Sequence, residues 1–247
     1  MSRRDLTSAI VRAARDGYSG RRPPRYQEPM WELLRDRVAP AFHDHARILD
    51  VGSGRAPLFA PEYRPPQCVY TGLDAARSEL EAAPAGSYDA TVVTDVLDYR
   101  HDLTAQFDLV VSWWLLEHVS SLTRALENLR GYLSPGGRLV VCFSGARSVA
   151  ALANRTLPHA LSRLLVQRFT GRSHESVFPA RYDQCSYDEV MRLAAGWRSW
   201  ELRSLYNGAD RFAFLPPVLA AYLAFEEWTY HTNRHNLATH YLLTATV

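Results

Sequence analysis

The segment ARILDVGSGRAP, residues 46–57, constrains the fold of this chain more than any other stretch. Its apolar run ILDV stops abruptly at the glycine-rich GSG of residues 52–54. Because glycine has no Cβ atom, a strand-to-helix turn built from it can lie directly against a bound ligand. We therefore predict a strand over 47–51 that ends in a ligand-binding turn.

The rest of the chain alternates between apolar runs and connecting stretches. Strands are predicted at 47–51, 68–73, 90–94, 107–112, 138–143, 197–206 and 238–247. Helices are predicted at 122–132, 149–169, 186–195 and 217–230, and the first of these ends in a turn with the sequence LSPGG. Strands that alternate with helices at this pitch are typical of an α/β fold, a parallel sheet with helices on both faces.

Two further helices are predicted before the first strand. Residues 5–16 carry apolar side chains at helical spacing, and Gly17 ends that segment. Pro29 begins a second amphipathic helix that ends before Pro40. The length of 247 residues, with 47% hydrophobic content, suits one sizeable core. We predict an N-terminal helical cap over 1–45 and one domain over 46–247, with substrate-binding insertions at about 145–185 and 207–236.

The composition excludes several classes of protein. All 28 basic residues are arginine, so a lysine Schiff base and a P-loop lysine are impossible. A net charge of +2 argues against a nucleic-acid-binding face, and three scattered cysteines favour neither disulfides nor a zinc site. The N-terminus lacks the apolar core of a signal peptide, and the run at 212–225 is too short to span a bilayer. We expect a cytoplasmic protein without a membrane partner.

The glycine loop departs from the dinucleotide-binding fingerprint, because Pro57 stands in place of its last glycine. Asp74 ends the second predicted strand about 20 residues beyond Gly54, where an acid can accept both hydroxyls of a ribose. This fits NAD as well as other adenosine-bearing cofactors. The plainer alternatives are a tight turn without a ligand and a helix N-cap at Asp74. After the third strand, Asp95 could accept from an adenine amine while Val96 packs on the ring.

The ordered set ILDVGSGRAP, YTGLDAA, VVTDVLDY, FDLVVSWWLLEHV and LSPGGRLVV resembles the class I S-adenosylmethionine-dependent methyltransferases. The resemblance implies a Rossmann-like, doubly wound sheet of seven mostly parallel strands whose last strand is antiparallel. It implies S-adenosylmethionine as the cofactor and S-adenosylhomocysteine as its product. The residues it assigns to the cofactor are Asp50, Gly52, Ser53, Gly54, Asp74, Ala75, Asp95, Val96, Ser112 and Trp113, and Arg25 is added from its charge alone. The chain departs from the family pattern at Ala56, where a third glycine is common, and Arg55 could narrow the loop.

Methyl transfer needs alignment more than covalent chemistry from the protein, and a base only when the nucleophile carries a proton. His118 is the candidate base, although the EH pair is also a framework feature of the family. The candidate substrate-binding residues are Tyr26, Trp113, His118, Tyr182, Tyr206, Trp228 and His231. Trp31 and Trp114 are expected in the core. The spacing of His231 and His235 could mimic metal ligands, but no acid completes a set, so no metal is expected.

These features predict methylation of a small, hydrophobic or aromatic metabolite of secondary metabolism, by in-line transfer to O, N or C. The alternative is a protein of the same fold that binds the cofactor but catalyses another reaction, such as a cyclisation, or serves as a non-catalytic partner subunit. A nucleic-acid methyltransferase is disfavoured because SWWL stands where a DPPY-like sequence would follow the fourth strand. An NAD dehydrogenase is disfavoured by the missing glycine.

Overall fold

The computed structural model of the protein describes residues 1–26, 30–156 and 180–247. Its described helices are α1 (Arg3–Tyr18), α2 (Met30–Val38), α3 (Arg77–Glu81), α4 (Leu122–Tyr132), α5 (Val149–Thr156), α6 (Tyr187–Ala194) and α7 (Pro216–His231). Its described strands are β1 (Arg47–Val51), β2 (Val69–Asp74), β3 (Ala90–Val93), β4 (Phe107–Trp113), β5 (Leu133–Ser144), β6 (Ser199–Leu205) and β7 (His240–Thr246). The part of the helix predicted over 149–169 that follows residue 156 lies outside the described residues.

The seven described strands form one sheet in the order β3-β2-β1-β4-β5-β7-β6, with β7 antiparallel. β1 pairs in parallel with β2 on one side and with β4 on the other. Successive strands therefore extend the sheet in opposite directions from the β1–β4 pair. Such a switch point opens a crevice at the carboxyl ends of the strands, where ligands of α/β sheets bind. The predicted doubly wound, mostly parallel sheet is confirmed.

The central strands are apolar because a parallel sheet is covered on both faces. Ile48 and Leu49 of β1 and Val110 of β4 are fully buried. Among the buried residues of β1, the polar exception is Asp50, with 2% of its surface exposed. A carboxylate in this position requires hydrogen-bond partners inside the protein.

The connection from β1 to β2 holds no α-helix, so the predicted strand-to-helix turn is wrong. Residues 52–68, all of them described, contain only a short 3-10 turn at Pro61–Tyr63. Prolines at positions 57, 61, 65 and 66 explain the difference. Each proline lacks an N–H donor and disfavours helical geometry in the residue before it.

The sequence LSPGG, predicted as a turn after α4, lies inside β5. Leu133 pairs with Phe107, and pairing resumes between Arg138 and Leu109, so β5 advances five residues while β4 advances two. The extra residues form an irregular bulge in which Gly136 has φ +81°. A bulge accommodates proline and glycine without ending the strand.

The described chain divides into two compact units. The sheet unit comprises residues 30–144, 180–203 and 241–247, and the helical unit comprises the described residues 1–26, 145–156 and 204–240. The predicted division into a cap over 1–45 and a domain over 46–247 stays a prediction.

In the helical unit, α1 packs closely against α7. A Cβ atom on Gly17 would lie 2.7 Å from Leu223 Cδ1 and 3.1 Å from Ala220 Cα, so only glycine permits this approach. Ala13 of α1 and Leu219 of α7 belong to the buried cluster of this unit. Among the described helices, none is both long and apolar enough to cross a bilayer.

Candidate functional site

The glycine loop lies at the carboxyl end of β1, against the residues that follow β4. Gly52 has φ +72°, and its N–H donates to the Leu73 carbonyl at 2.7 Å. A Cβ atom on Gly52 would lie 2.9 Å from Leu115 Cδ1, closer than side chains pack. Gly54 has φ +49°, and the Tyr88 hydroxyl donates to its carbonyl at 2.8 Å. The loop therefore follows a defined path that depends on both glycines.

The Asp50 carboxylate anchors this loop from inside the protein. Its Oδ2 accepts hydrogen bonds from Leu58 N at 2.7 Å and from the Tyr70 hydroxyl at 2.6 Å. Burial raises the pKa of Asp50 to about 6, and the hydrogen bond from Tyr70 opposes that shift. The same hydroxyl accepts from Phe59 N at 3.2 Å. Ser53, the central residue of the loop, is also buried. These bonds take the place of the helix that the connection lacks.

Asp74 ends β2 and faces the loop. Its Oδ1 accepts from Ala76 N at 2.8 Å, and its Oδ2 lies 3.5 Å from where a Cβ atom on Gly54 would stand. Burial raises the pKa of Asp74, while the N–H groups of Ala76 and Gly54 oppose the shift. Ala75, which lies between Asp74 and Ala76, is exposed. The N-cap of α3 is Ala76, so the alternative that Asp74 is the N-cap is wrong.

Asp95 and Val96 follow β3, the next strand of the sheet. Asp95 is exposed, and its Oδ1 accepts from Leu97 N at 2.9 Å. Val96 is 4% exposed, and its carbonyl accepts from Asn128 Nδ2 at 2.8 Å. Because β1, β2 and β3 are adjacent and parallel, the glycine loop, Asp74 and Asp95 lie in that order along one edge of the sheet.

β4 ends in Ser112 and Trp113, beside β1. The Ser112 hydroxyl donates to the Val51 carbonyl at 2.9 Å inside the sheet, and Trp113 is half-buried. Trp114 has φ +61°, and its N–H donates to the Cys142 carbonyl at 2.9 Å. Trp114 is 37% exposed as a residue, so the expectation of a core position for it is wrong. The left-handed turn takes this residue out of the strand, and such geometry in a bulky residue is typical of functional sites.

The turn after β4 carries His118 and a carboxylate to which sequence reasoning gave no role. His118 is half-buried, and its backbone N–H donates to the Leu115 carbonyl at 2.8 Å. Glu117 is 4% exposed, and its Oε1 accepts from Ser144 Oγ at 2.8 Å, whereas Oε2 has no hydrogen-bond partner among the described residues. Tyr182 is buried, and its N–H donates to the Glu117 carbonyl at 2.9 Å. An acidic residue within the mostly apolar stretch LLEHV is the sequence signal for Glu117.

In the helical unit, predicted site residues surround two neighbouring carboxylates of α7. Arg25 Nη2 donates to Glu226 at 3.0 Å, Nη1 to Glu227 at 2.5 Å, and Nε to the Tyr206 carbonyl at 2.8 Å. The Tyr26 hydroxyl donates to the same carboxylate oxygen of Glu226, which is 2% exposed. Each guanidinium nitrogen thus has a protein acceptor, and the contact of Arg25 with a cofactor stays a prediction.

His231 and Trp228 complete the set of predicted residues in this unit. His231 Nε2 shares a hydrogen bond with Glu227 Oε1 at 2.8 Å. The Trp228 ring lies 6.0 Å from that of Phe225, measured between centroids. Within the part of the chain that the structure describes, no three His, Cys, Asp or Glu side chains gather as metal ligands.

Comparison with known proteins decides the family. A family model described as a methyltransferase domain matches residues 24–203, well over half of the chain. This chain belongs to that family. The chain is 29% identical over 157 residues to the ubiquinone biosynthesis O-methyltransferase of Maricaulis maris (strain MCS10), and the aligned region covers 60% of each protein. It is 34% identical over 118 residues to the protein of the same name from Roseobacter denitrificans, and the aligned region covers 45% of this chain and 46% of that protein. The chain thus matches less than two thirds of the length of these relatives.

A solved structure confirms the fold of this chain. The S-adenosylmethionine-dependent methyltransferase from Mesorhizobium loti superimposes with a TM-score of 0.53, at 20% identity, over 88% of this chain and 97% of that one. The predicted class I fold is therefore confirmed. Membership of the methyltransferase-domain family supports the predicted cofactor, S-adenosylmethionine.

The residues present fit this cofactor. The loop of Gly52 and Gly54 offers backbone without Cβ atoms, and Asp74 presents a carboxylate to it across a narrow gap. No helix N-terminus stands behind the loop, so the arrangement that holds the pyrophosphate of a dinucleotide is absent from residues 52–68. This agrees with the missing last glycine, which sets the loop apart from the dinucleotide-binding fingerprint.

Proposed function

We propose that this methyltransferase transfers a methyl group from S-adenosylmethionine to a small, hydrophobic or aromatic metabolite, at a hydroxyl oxygen. The observation that carries the proposal is the alignment of the glycine loop, Asp74 and Asp95 along the carboxyl edge of β1, β2 and β3. The relatives named O-methyltransferase support oxygen as the methylated atom.

Each residue of this edge has a distinct part in holding the cofactor. Asp74 accepts the ribose hydroxyls with its carboxylate, as an acid at the end of the second strand does in nucleotide sites. Asp95 accepts from the adenine amine, and Val96 supplies apolar surface to the ring. The backbone of Gly52 and its neighbours borders the methionine portion. The cofactor supplies a methyl group that is already electrophilic, so no covalent step is needed from the chain.

The acceptor subsite lies at the carboxyl end of β4. The exposed ring of Trp114 and the half-buried ring of Trp113 offer apolar surface, 6.1 Å apart between centroids. His118 takes the hydroxyl proton as the oxygen is methylated, since an imidazole accepts protons near neutral pH. The ordered turn aligns the nucleophile, and orientation of this kind can lower a barrier by about 7–11 kcal/mol in good cases.

The remaining predicted residues complete the proposal. The residues that remain as predicted substrate contacts are Tyr26, Tyr182, Tyr206, Trp228 and His231. The reaction belongs to secondary metabolism in the cytoplasm, with a small molecule as the partner and no nucleic acid or membrane.

The deciding experiment measures cofactor binding first and turnover second. Calorimetry with S-adenosylhomocysteine should give saturable one-to-one binding, and a panel of hydroxylated aromatic compounds should give S-adenosylhomocysteine in step with methylated product. The absence of saturable binding would overturn the proposal. Binding with loss of a substrate but no S-adenosylhomocysteine would identify the alternative, a cofactor-binding protein that catalyses another reaction such as a cyclisation.

A further inference from the structure

Arg55, the bulky residue of the glycine loop, makes a two-pronged ion pair with α3. Its Nε donates to Glu79 Oε2 at 2.8 Å, and its Nη2 donates to Glu79 Oε1 at 2.6 Å. This fork-to-fork arrangement fixes the direction of both side chains, unlike a single contact between two charges. We call this ion pair the Arg55–Glu79 clasp.

The clasp lies beside the carboxylate assigned to the ribose. A Cβ atom on Gly54 would stand 3.5 Å from Asp74 Oδ2, 3.5 Å from Glu79 Cβ and 3.6 Å from Glu79 Oε2. Asp74 and Glu79 therefore flank the same side of the loop, and the charge of Glu79 contributes to raising the pKa of Asp74. The guanidinium of Arg55 balances the second of these neighbouring carboxylates.

The loop depends on side chains because the connection has no helix behind it. Two of its anchors are internal: Asp50 Oδ2 accepts from Leu58 N, and the Tyr88 hydroxyl donates to the Gly54 carbonyl. The clasp is the peripheral anchor, with 60% of the Arg55 side chain and 24% of the Glu79 side chain exposed. An exposed ion pair contributes little to global stability, so its effect is expected on the local path of the loop.

We propose that the Arg55–Glu79 clasp is a positioning device that holds the glycine loop against α3 and thereby sets the affinity of the methyltransferase for its cofactor. The inference rests on the proposed function, since it requires the loop to bind S-adenosylmethionine. Arg55 acts through Glu79 and the loop, without contact to the reacting atoms. Because the clasp is exposed, ions in solution weaken it, and cofactor affinity then depends on ionic strength.

The test is calorimetry of the full chain with S-adenosylhomocysteine, whose zero net charge keeps the ligand from contributing a salt effect of its own. The variants are Arg55→Ala, Glu79→Gln, the double variant, and the exchanged pair Arg55→Glu with Glu79→Arg, each at about 50 mM and about 500 mM NaCl. Arg77→Ala is the matched control, because Arg77 forms an exposed pair with Glu81 on the same helix at 3.9 Å. It removes the same charge without touching the loop.

For the wild type, the dissociation constant should rise about 5-fold between low and high salt. Each single variant should weaken binding about 5-fold at low salt and lose the salt dependence, and the double variant should be no weaker than the singles. The exchanged pair should restore most of the affinity, and Arg77→Ala should leave it unchanged.

A wild-type affinity that ignores salt, or an Arg55→Ala affinity within about twofold of wild type, would overturn the clasp while leaving the proposed function intact. Failure of the wild type to bind S-adenosylhomocysteine at all would instead overturn the proposed function. Melting temperatures of all variants should stay near that of the wild type, which separates positioning from a loss of fold.

Discussion

The Tyr70 hydroxyl lies 2.6 Å from Asp50 Oδ2, beneath a loop that no helix supports. The carboxylate also accepts from Leu58 N, so a single buried group connects β1, β2 and the connection between them. Burial makes the charged form of this acid costly, and the charge of Arg64 offsets only part of that cost. The loop that we assign to the cofactor is therefore held by a titratable side chain.

The stability of the sheet unit should depend on the protonation of Asp50. Burial raises its pKa to about 6, so the folded state binds more protons than the unfolded chain between about pH 4 and about pH 6. This contribution to the free energy of unfolding is present below that window and falls by about 3 kcal/mol as the pH rises through it. Urea denaturation at several pH values should show this fall in the wild type relative to Asp50→Asn. The exposed Asp98→Asn is the control variant. If the difference in unfolding free energy between the wild type and Asp50→Asn changes with pH no more than the difference between the wild type and Asp98→Asn, the assignment is contradicted.

Replacing Gly52 by alanine should impair both folding and binding. The residue has φ +72°, and its new Cβ atom would stand 2.9 Å from Leu115. Gly86→Ala is the matched control, because Gly86 has φ +81° and no atom within 4 Å of the added group. Strain alone should cost Gly86→Ala about 1 kcal/mol, and Gly52→Ala should lose about 1–3 kcal/mol more. Equal losses in urea denaturation would show that Leu115 yields freely.

Asp74→Asn tests the assignment of the ribose carboxylate. Hydrogen bonds to a charged acceptor contribute about 1.5–3 kcal/mol, so the dissociation constant for S-adenosylhomocysteine should rise about 10- to 100-fold. Asp98→Asn removes an exposed carboxylate further along the chain and should leave binding unchanged. Calorimetry that finds both variants alike would place the ribose elsewhere.

Arg25→Ala should strongly destabilise the helical unit. Its loss leaves Glu226, 2% exposed, without its cation, which costs about 3–5 kcal/mol for a buried pair. Arg22→Ala breaks the pair with Asp210, whose side chain is 75% exposed, and should cost no more than about 1 kcal/mol. Chemical denaturation of both variants gives the comparison. A small loss for Arg25→Ala would make this arginine available for the predicted cofactor contact.

Glu117→Gln should preserve or raise stability. The amide keeps an oxygen that can accept from Ser144 Oγ, and it removes a buried charge whose second oxygen has no hydrogen-bond partner among the described residues. A gain of about 1 kcal/mol in the free energy of unfolding is expected. Ser144→Ala, which removes the bonded partner, should be destabilising. A marked loss in Glu117→Gln would indicate that the unused oxygen is satisfied in solution.

Features that depend on local order could be predicted from the sequence, and those that depend on packing could not. The positions of β1, Asp74 and Asp95 follow from apolar runs that end in polar residues, because the carboxyl ends of parallel strands meet at one edge. The helix after β1 was expected from the glycine loop, although the prolines that follow exclude it. Periodicity could not reveal that a hydrogen bond to the Cys142 carbonyl turns Trp114 out of its strand.

The ion pairs of the site were beyond sequence reasoning for a different reason. Arg25 and Glu226 are 201 positions apart, and nothing in either local sequence selects the partner. Arg55 was identified as a departure from the family pattern, but its bond to Glu79 follows from where the short helix α3 begins. A buried charge indicates that a partner exists, whereas the fold decides which one.

The proline-rich path after β1 has a consequence for the ions and metabolites that share the solution with this protein. A helix that begins behind a glycine loop would point its unpaired amides at any phosphate, and so would compete for ATP, NAD or inorganic phosphate. Residues 52–68 do not form that helix, so this connection offers no helix N-terminus to a phosphate. In the proposed scheme, the prolines at positions 57 and 61 thus disfavour phosphorylated compounds at the glycine loop, because they exclude the helix that would attract them.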